Sequence, residues 1–275
     1  MTGSAEGVAA TGPTMDTAAI DERFATAQKV MAEAAQVALA FSRDLGALTI
    51  LEKGTQDLVS EADRQTEAAI KTAIGQAFPE DGFVGEESGS EGLGPGRGVW
   101  VVDPIDGTQP FLLGLPTWCI SIAFVVSGEI EFGLVTNPAT DDVYAARRGA
   151  GATRNGRPIH VRAAGSLTEG LTGVGANPAS HAPDVATIMG RLIEAGGMYH
   201  RIGSGALSLC YLATGQLIGY VEMHINAWDC LAALCICTEA GARTSDFLGS
   251  HGLTGGGRLI VGSPSLYPQL EALMP

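Results

Sequence analysis

The chain has 275 residues, 45% of them hydrophobic and 17% charged, which is the composition of a globular protein with a sizeable core. Its formal net charge of −14 argues against nucleic acid or an anionic membrane surface as a partner, because such binding relies on Lys and Arg. An odd number of cysteines, five, without zinc-type spacing favours buried free thiols in a reducing compartment.

The chain also lacks the sequence patterns of membrane or secreted proteins. No apolar run reaches the roughly 18 residues of a membrane span, and no basic region followed by an apolar one opens the chain. We therefore expect a cytoplasmic protein. Residues 1–15 are small and Gly-rich, which predicts a disordered tail, and residues 16–275 are predicted to form a single domain whose two lobes meet near residues 137–140.

Hydrophobic periodicity predicts two helices in the first third of the chain. The first runs from Asp16 to about Leu45, and the second from Ser60, which can cap it, through Phe78. The segment Lys53–Asp57 between them is predicted to be a loop. Buried strands are predicted at three apolar runs that follow: Val99–Val102, Cys119–Val126 and its hairpin partner Ile130–Val135.

The second half of the chain alternates between helical and strand-like patterns. Helices are predicted at Pro183–Glu194, Ser204–Thr214 and Ala227–Ala240, and strands near Met198, at Ile218–Val221 and at Arg258–Val261. The fold class expected from this alternation is α/β or α+β, arranged in layers.

The most informative segment is the predicted strand Val99–Val102, which ends in two carboxylates, Asp103 and Asp106. Acids at the end of a strand point into a crevice and are suited to hard cations, although Asp-Pro and Asp-Gly also serve as ordinary turns. The turn that follows, Gly107–Pro110, resembles a helix start, whose backbone N–H groups form a natural seat for phosphate.

Two further acidic clusters strengthen the metal interpretation. Glu86 and Glu87 follow an apolar stretch, where adjacent like charges are costly unless a cation joins them; a solvated loop is the alternative. Asp229 opens a nearly apolar helix, where it could simply favour the helix dipole. Each alternative explains only one of the three clusters.

Several motifs, taken in order, resemble the inositol monophosphatase family. The resemblance runs from about Asp16 to the C-terminus. Its motifs are Lys53 with Asp57-Leu-Val-Ser60-Glu-Ala-Asp63, Gly85-Glu-Glu87-Ser, Trp100-Val-Val-Asp103-Pro-Ile-Asp106-Gly-Thr108, Gly203-Ser204-Gly205, Glu222, and Trp228-Asp229 ahead of Glu239-Ala-Gly241.

The resemblance implies a layered α-β-α-β-α sandwich, usually a homodimer, that hydrolyses phosphate monoesters with two or three Mg²⁺ ions and is commonly inhibited by lithium. It implies metal ligands at Glu87, Asp103, the carbonyl of Ile105, Asp106 and Asp229. Phosphate would contact Gly107 and Thr108, and the substrate would also contact Asp106, Gly203, Ser204, Gly205, Glu222 and Asp229. Thr108, oriented by Asp63, would act with Glu87 to activate a metal-bound water for in-line attack on phosphorus.

The substrate implied first is myo-inositol 1-phosphate, but other readings remain. Gly114 and Trp118 are also similar to histidinol-phosphate phosphatases, and nucleotide 3′-phosphatases and fructose bisphosphatases share the metal frame. A haloacid-dehalogenase-type phosphatase would place its two aspartates two residues apart, not three. A metal-dependent binding or regulatory protein on the same frame is the non-enzyme alternative, and loss of a ligand would be its signature.

Overall fold

A computed structural model describes residues 15–45, 50–54 and 57–275, with residues 50–54 and 57–59 described by their backbone; the predicted tail, apart from Met15, lies outside these ranges. Within them, eight α-helices form, none of which is long and apolar enough to cross a membrane. Their bounds are α1 Thr17–Ser42, α2 Glu61–Ala77, α3 Thr108–Leu112, α4 Ala182–Glu194, α5 Gly205–Ala213, α6 Ala227–Glu239, α7 Phe247–His251 and α8 Tyr267–Leu273.

Fifteen strands form in the same described ranges. Their bounds are β1 Ile50–Gly54, β2 Asp57–Ser60, β3 Gly82–Gly85, β4 Gly89–Glu91, β5 Gly98–Asp106, β6 Cys119–Val126, β7 Glu129–Asn137, β8 Asp142–Arg147, β9 Ala152–Arg154, β10 Arg157–Pro158, β11 Leu171–Val174, β12 Met198–His200, β13 Gly219–Asn226, β14 Arg243–Thr244 and β15 Gly256–Gly262. A 3₁₀ turn covers Leu167–Glu169.

The strands form a two-stranded ribbon and two larger sheets. The eight-stranded sheet has the order β10-β9-β8-β7-β6-β5-β3-β4 and is antiparallel except for the β3–β5 pair. The five-stranded sheet has the order β12-β11-β13-β15-β14, with β11 parallel to both of its neighbours. Strands β5 and β13 are thus internal strands that are paired on both sides.

Three apolar cores separate the layers. Helices α1 and α2 cover one face of the larger sheet, where Trp100, Phe124 and Phe132 pack with ring centroids 4.9 to 5.7 Å apart. Helices α5 and α6 lie between the two sheets, and α4 and α8 cover the outer face of the smaller sheet. The predicted α-β-α-β-α sandwich is confirmed. The five cysteines are all buried and free, as expected.

Most predicted elements agree with the structure to within a few residues, but the predicted loop Lys53–Asp57 is wrong. The described residues of this segment belong to the paired strands β1 and β2, with Gly54 opposite Asp57, whereas residues 55–56 lie outside the described residues. Residues 137–140 form the turn of the β7–β8 hairpin inside the larger sheet, and the smaller sheet begins only at Leu171. The division into two lobes stays a prediction.

Candidate metal centre

The site begins where β5 ends. Asp103 pairs with Ser121 of β6 and Asp106 with Cys119, and the strand register shifts between these two pairs. The Oδ1 atom of Asp103 accepts the N–H of Ile105 at 2.9 Å, which closes a tight local turn. This irregularity places two carboxylates, three residues apart, at the same end of a buried strand.

Asp229 reaches the same point from a different element. It lies in the first turn of α6, where its Oδ2 accepts hydrogen bonds from the backbone N–H of Asn226 at 3.0 Å and from the Asn226 side-chain amide at 3.1 Å. Helix α6 packs between the two sheets and is apolar on nearly every side, so its N-terminus is fixed beside the end of β5.

The three aspartates Asp103, Asp106 and Asp229 converge, with ligand oxygens that all lie within 4.8 Å of one another. Burial raises the pKa of Asp103 well above its ordinary value, and the charges of the surrounding acids raise it further. Burial and the charge of Asp229 raise the pKa of Asp106 to about 7, against the hydrogen bonds that Asp106 accepts. These carboxylates disfavour one another's charge, which is the electrostatic environment that a cation relieves.

The chemistry of this group fits a hard divalent cation. The Oδ2 atom of Asp103 is buried and accepts no hydrogen bond from an N–H or hydroxyl group of the described residues. A buried charged oxygen without a partner is costly, and coordination to a metal ion would remove that cost. Carboxylate and carbonyl oxygens are the ligands that Mg²⁺ accepts, and no cysteine or histidine belongs to the group.

Asp106 is held in place by the start of α5. Its Oδ2 accepts the hydroxyl of Ser204 at 2.6 Å and the N–H of Ala206 at 2.7 Å, and its Oδ1 accepts the N–H of Gly205 at 3.3 Å. Gly203 has φ of +88°, which favours glycine, and a Cβ atom added there would lie only 2.8 Å from Pro110 in α3. The segment predicted to contact substrate therefore fixes a metal-site carboxylate; its role toward substrate stays a prediction.

Asp63 and Thr108 meet as the resemblance implied. Asp63, fully buried at the start of α2, accepts the N–H and hydroxyl of Ser60 at 2.8 and 2.6 Å. The Thr108 hydroxyl lies 3.3 Å from both Asp63 Oδ1 and the carbonyl oxygen of Ile105. Burial raises the pKa of Asp63, and the hydrogen bonds that it accepts oppose that rise.

The loop that contains Glu86 and Glu87, here called the glutamate loop, offers two candidates for the glutamate ligand. The charge of Glu86 is, after burial, the main cause that raises the pKa of Asp103, which places Glu86 in the electrostatic environment of the aspartates. The resemblance had assigned Glu87 as the metal ligand. We therefore treat Glu86 as the competing candidate for the glutamate ligand, and the assignment to Glu87 stays a prediction.

Sequence reasoning missed Glu67, the residue that holds this loop. Its buried carboxylate accepts the N–H of Glu87 at 2.9 Å and the N–H of Ser88 at 2.8 Å. Glu67 lies one helical turn after Asp63 on the buried face of α2. An acid at a core position of an amphipathic helix is a signal that could have revealed it, because buried carboxylates need partners.

Comparisons with known proteins decide the family. The sequence profile of the inositol monophosphatase family matches residues 15–274. The chain belongs to the inositol monophosphatase family. Over 243 residues it is 37% identical to an inositol-1-monophosphatase of Rhizobium meliloti (strain 1021), covering 85% of this chain and 90% of that protein. Over 232 residues it is 33% identical to a Pseudomonas aeruginosa protein named Nus factor SuhB, covering 82% and 86%.

Solved structures of this family have the same fold. A crystal structure of extragenic suppressor protein suhB from Bartonella henselae aligns with a TM-score of 0.84 at 26% identity, covering 92% of this chain and 98% of that chain. The Thermotoga maritima IMPase aligns with a TM-score of 0.80 at 29% identity, covering 92% and 96%. As an inositol monophosphatase family member, the protein is a phosphoric monoester hydrolase, and the acidic cluster agrees with the metal dependence of the family.

Proposed function

We propose that this family member hydrolyses myo-inositol 1-phosphate to inositol and inorganic phosphate, and that its metal is Mg²⁺, bound as two or three ions. The observation that carries the metal assignment is the convergence of Asp103, Asp106 and Asp229 around the unpartnered Oδ2 of Asp103. The substrate rests on the relatives named inositol-1-monophosphatase.

The proposed ligands are the three aspartates, the carbonyl of Ile105, and a glutamate of the 86–87 loop. Bound Mg²⁺ would supply a water of lowered pKa and neutralise charge on the leaving oxygen. The phosphate is proposed to contact the backbone amides of Gly107 and Thr108 at the start of α3. These amides would stabilise the charge of the phosphoryl group as it is transferred.

Thr108 and Asp63 are proposed to orient the attacking water. The Thr108 hydroxyl can donate its one proton in a hydrogen bond to Asp63 Oδ1, 3.3 Å away, and its oxygen can then accept a hydrogen bond from the attacking water. Ser60, the N-cap of α2, donates two hydrogen bonds to Oδ2 of Asp63. Oδ1 of Asp63 is thereby oriented to accept the bond from Thr108. A glutamate carboxylate from the 86–87 loop would receive the proton as general base.

The test is phosphate release from inositol 1-phosphate, histidinol phosphate, adenosine 3′,5′-bisphosphate and fructose 1,6-bisphosphate, with and without Mg²⁺. A strong Mg²⁺-dependent preference for inositol 1-phosphate supports the proposal. Preference for another of the esters refutes the substrate and leaves the metal assignment standing. Equal rates with Mg²⁺ and with a chelator would refute the metal assignment itself. The homodimer, cytoplasmic location and lithium inhibition remain predictions.

A regulatory role is the second candidate, favoured by the relatives that are named Nus factor SuhB. Every acid that the resemblance requires is present here, so the ligand loss expected of a non-catalytic frame is not seen. Absence of turnover across the four esters at saturating Mg²⁺ would reverse this ranking.

A further inference from the structure

A buried pair of side chains on β13 lies beside the metal centre. The hydroxyl of Tyr220 donates a hydrogen bond to Oε2 of Glu222 at 2.5 Å, and the two residues are 3% and 4% exposed. They are two positions apart on one strand, so their side chains leave the same face of the sheet. No second donor from the described part of the chain contacts the Glu222 carboxyl group.

The pair lies at the border between the apolar core, to which Tyr220 belongs, and the metal centre. The charges of Asp229 and Asp106 both act on Glu222, and burial raises the pKa of Glu222 to about 8. A Cβ atom added at Gly205, whose N–H donates to Asp106, would lie 3.6 Å from the Tyr220 hydroxyl oxygen. The carboxyl group of Glu222 thus lies near the place where the alcohol part of a phosphate ester would project.

The neighbouring strand leaves room for the side chains of this pair. Strand β11 runs parallel to β13, and Gly173 is the partner of Tyr220. Gly175 follows this pairing with a hydrogen bond from its N–H to the carbonyl of Val221 at 2.9 Å. A Cβ atom at Gly175 would collide with both Oε2 of Glu222 and the hydroxyl oxygen of Tyr220. Glycine at this position is therefore required by the close approach of the pair.

Tyr220 is the donor and Glu222 the acceptor of this hydrogen bond. Burial raises the pKa of the Tyr220 hydroxyl well above its ordinary value, and the charge of Glu222 raises it further, so Tyr220 keeps its proton and acts as the donor. The bond from Tyr220 in turn opposes the effect of burial on Glu222. Oε2 accepts the bond from Tyr220, and Oε1 accepts no hydrogen bond from the described residues, so Oε1 is open to an external donor.

We propose that Tyr220 is a positioning residue that orients Glu222 so that its Oε1 accepts a hydroxyl group of the substrate alcohol. The enzyme would thereby select polyol phosphates over monoesters whose alcohol has no free hydroxyl group. This inference rests on the proposed function, because it assumes that the ester binds with its phosphate at the aspartate cluster. Tyr220 itself does not touch the substrate and acts through Glu222.

The test compares Tyr220→Phe with wild type on two substrates, inositol 1-phosphate and p-nitrophenyl phosphate, at saturating Mg²⁺. We expect kcat/KM for inositol 1-phosphate to fall about 10-fold, mostly through KM, because the hydrogen bond that orients the Glu222 carboxyl group is lost. The value for p-nitrophenyl phosphate should stay within about 2-fold, since that ester offers no alcohol hydroxyl.

Two further variants make the test specific. Tyr144→Phe is the matched control, because Tyr144 is also a buried strand tyrosine but its hydroxyl has no hydrogen-bond partner; both rates should be unchanged. Glu222→Gln should show the same substrate-selective loss. The double variant should lose less activity, in free-energy terms, than the sum of the losses of the two single variants. If Tyr220→Phe does not fold, Glu222→Gln alone still reports on the selectivity.

The outcomes separate this inference from the proposed function. If wild type hydrolyses p-nitrophenyl phosphate but shows no preference for inositol 1-phosphate, the proposed substrate fails. If wild type shows the preference and Tyr220→Phe keeps it, or loses activity equally on both esters, the positioning role is overturned and the proposed function stands.

Discussion

The carboxylate of Glu67 accepts the backbone N–H of Glu87, 20 residues later in the chain, at 2.9 Å. Four residues before Glu67 on the same helix, Asp63 lies 3.3 Å from the hydroxyl of Thr108. One face of α2 therefore fixes both the glutamate loop and the threonine that are proposed to act on the attacking water. Because α2 packs in the apolar core against α1 and β5, it offers a rigid support for both.

Glu67→Gln should lower the Mg²⁺ affinity or the activity about 10- to 100-fold, as loss of an outer partner of a metal site does. The change keeps the size of the side chain but removes the charge that holds two loop amides. The measurement is phosphate release as a function of Mg²⁺ concentration. Glu61→Gln, in the first turn of the same helix, is the control and should leave the Mg²⁺ response unchanged. An identical Mg²⁺ response of Glu67→Gln would show that the loop holds its position without this carboxylate.

The adjacent glutamates Glu86 and Glu87 offer a matched pair of variants. Because the charge of Glu86 acts on Asp103, we expect Glu86→Gln to reduce kcat by about 100-fold or more, the range of a lost acid-base group. Glu87→Gln should have the smaller effect. The reverse ranking would support Glu87 as the catalytic and metal-binding glutamate, as the family resemblance implies.

Asp103→Asn should abolish nearly all activity while the protein stays folded. The substitution keeps the size of the side chain but removes the charge of the residue at the centre of the acidic cluster, where a metal ion contributes several kcal/mol. This corresponds to a loss of about three orders of magnitude in kcat/KM. Circular dichroism and thermal melting check the fold, and turnover close to wild type in a folded variant would refute the metal assignment.

Mg²⁺ should stabilise the folded protein, because it relieves the repulsion among buried carboxylates. At a concentration 100 times its Kd, one bound ion contributes about 2.7 kcal/mol, which raises Tm by about 5 °C or more. Asp229→Asn should shift both this stabilisation and the activity to higher Mg²⁺ concentrations. Glu194→Gln, an exposed acid at the end of α4, is the control with a normal response. No Tm shift in wild type would contradict a cation at this site.

Local patterns predicted most of the secondary structure. Helices α1 and α2 have long apolar faces, and Ser60 forms the predicted cap, so their bounds follow from local sequence. The ribbon of β1 and β2 escaped prediction, since a short hairpin has too few residues to show a period. Strands β8 to β10 were also not predicted, because their stability comes from pairing with β7 and not from an apolar run of their own.

Local sequence signals were enough to indicate the family, the layered fold and the three aspartates, because an acid at the end of an apolar strand or helix is a local signal that motif order reinforces. Only the tertiary structure brought Ser204 to Asp106, Glu67 to the glutamate loop and Tyr220 to Glu222. The first two of these contacts join residues 98 and 20 positions apart in the chain. Tyr220 and Glu222 are close in sequence, but the room for their side chains depends on Gly175, which directly follows β11. Hydrogen bonds of this kind depend on how helices and sheets pack, and packing is a property of the folded chain that no local pattern contains.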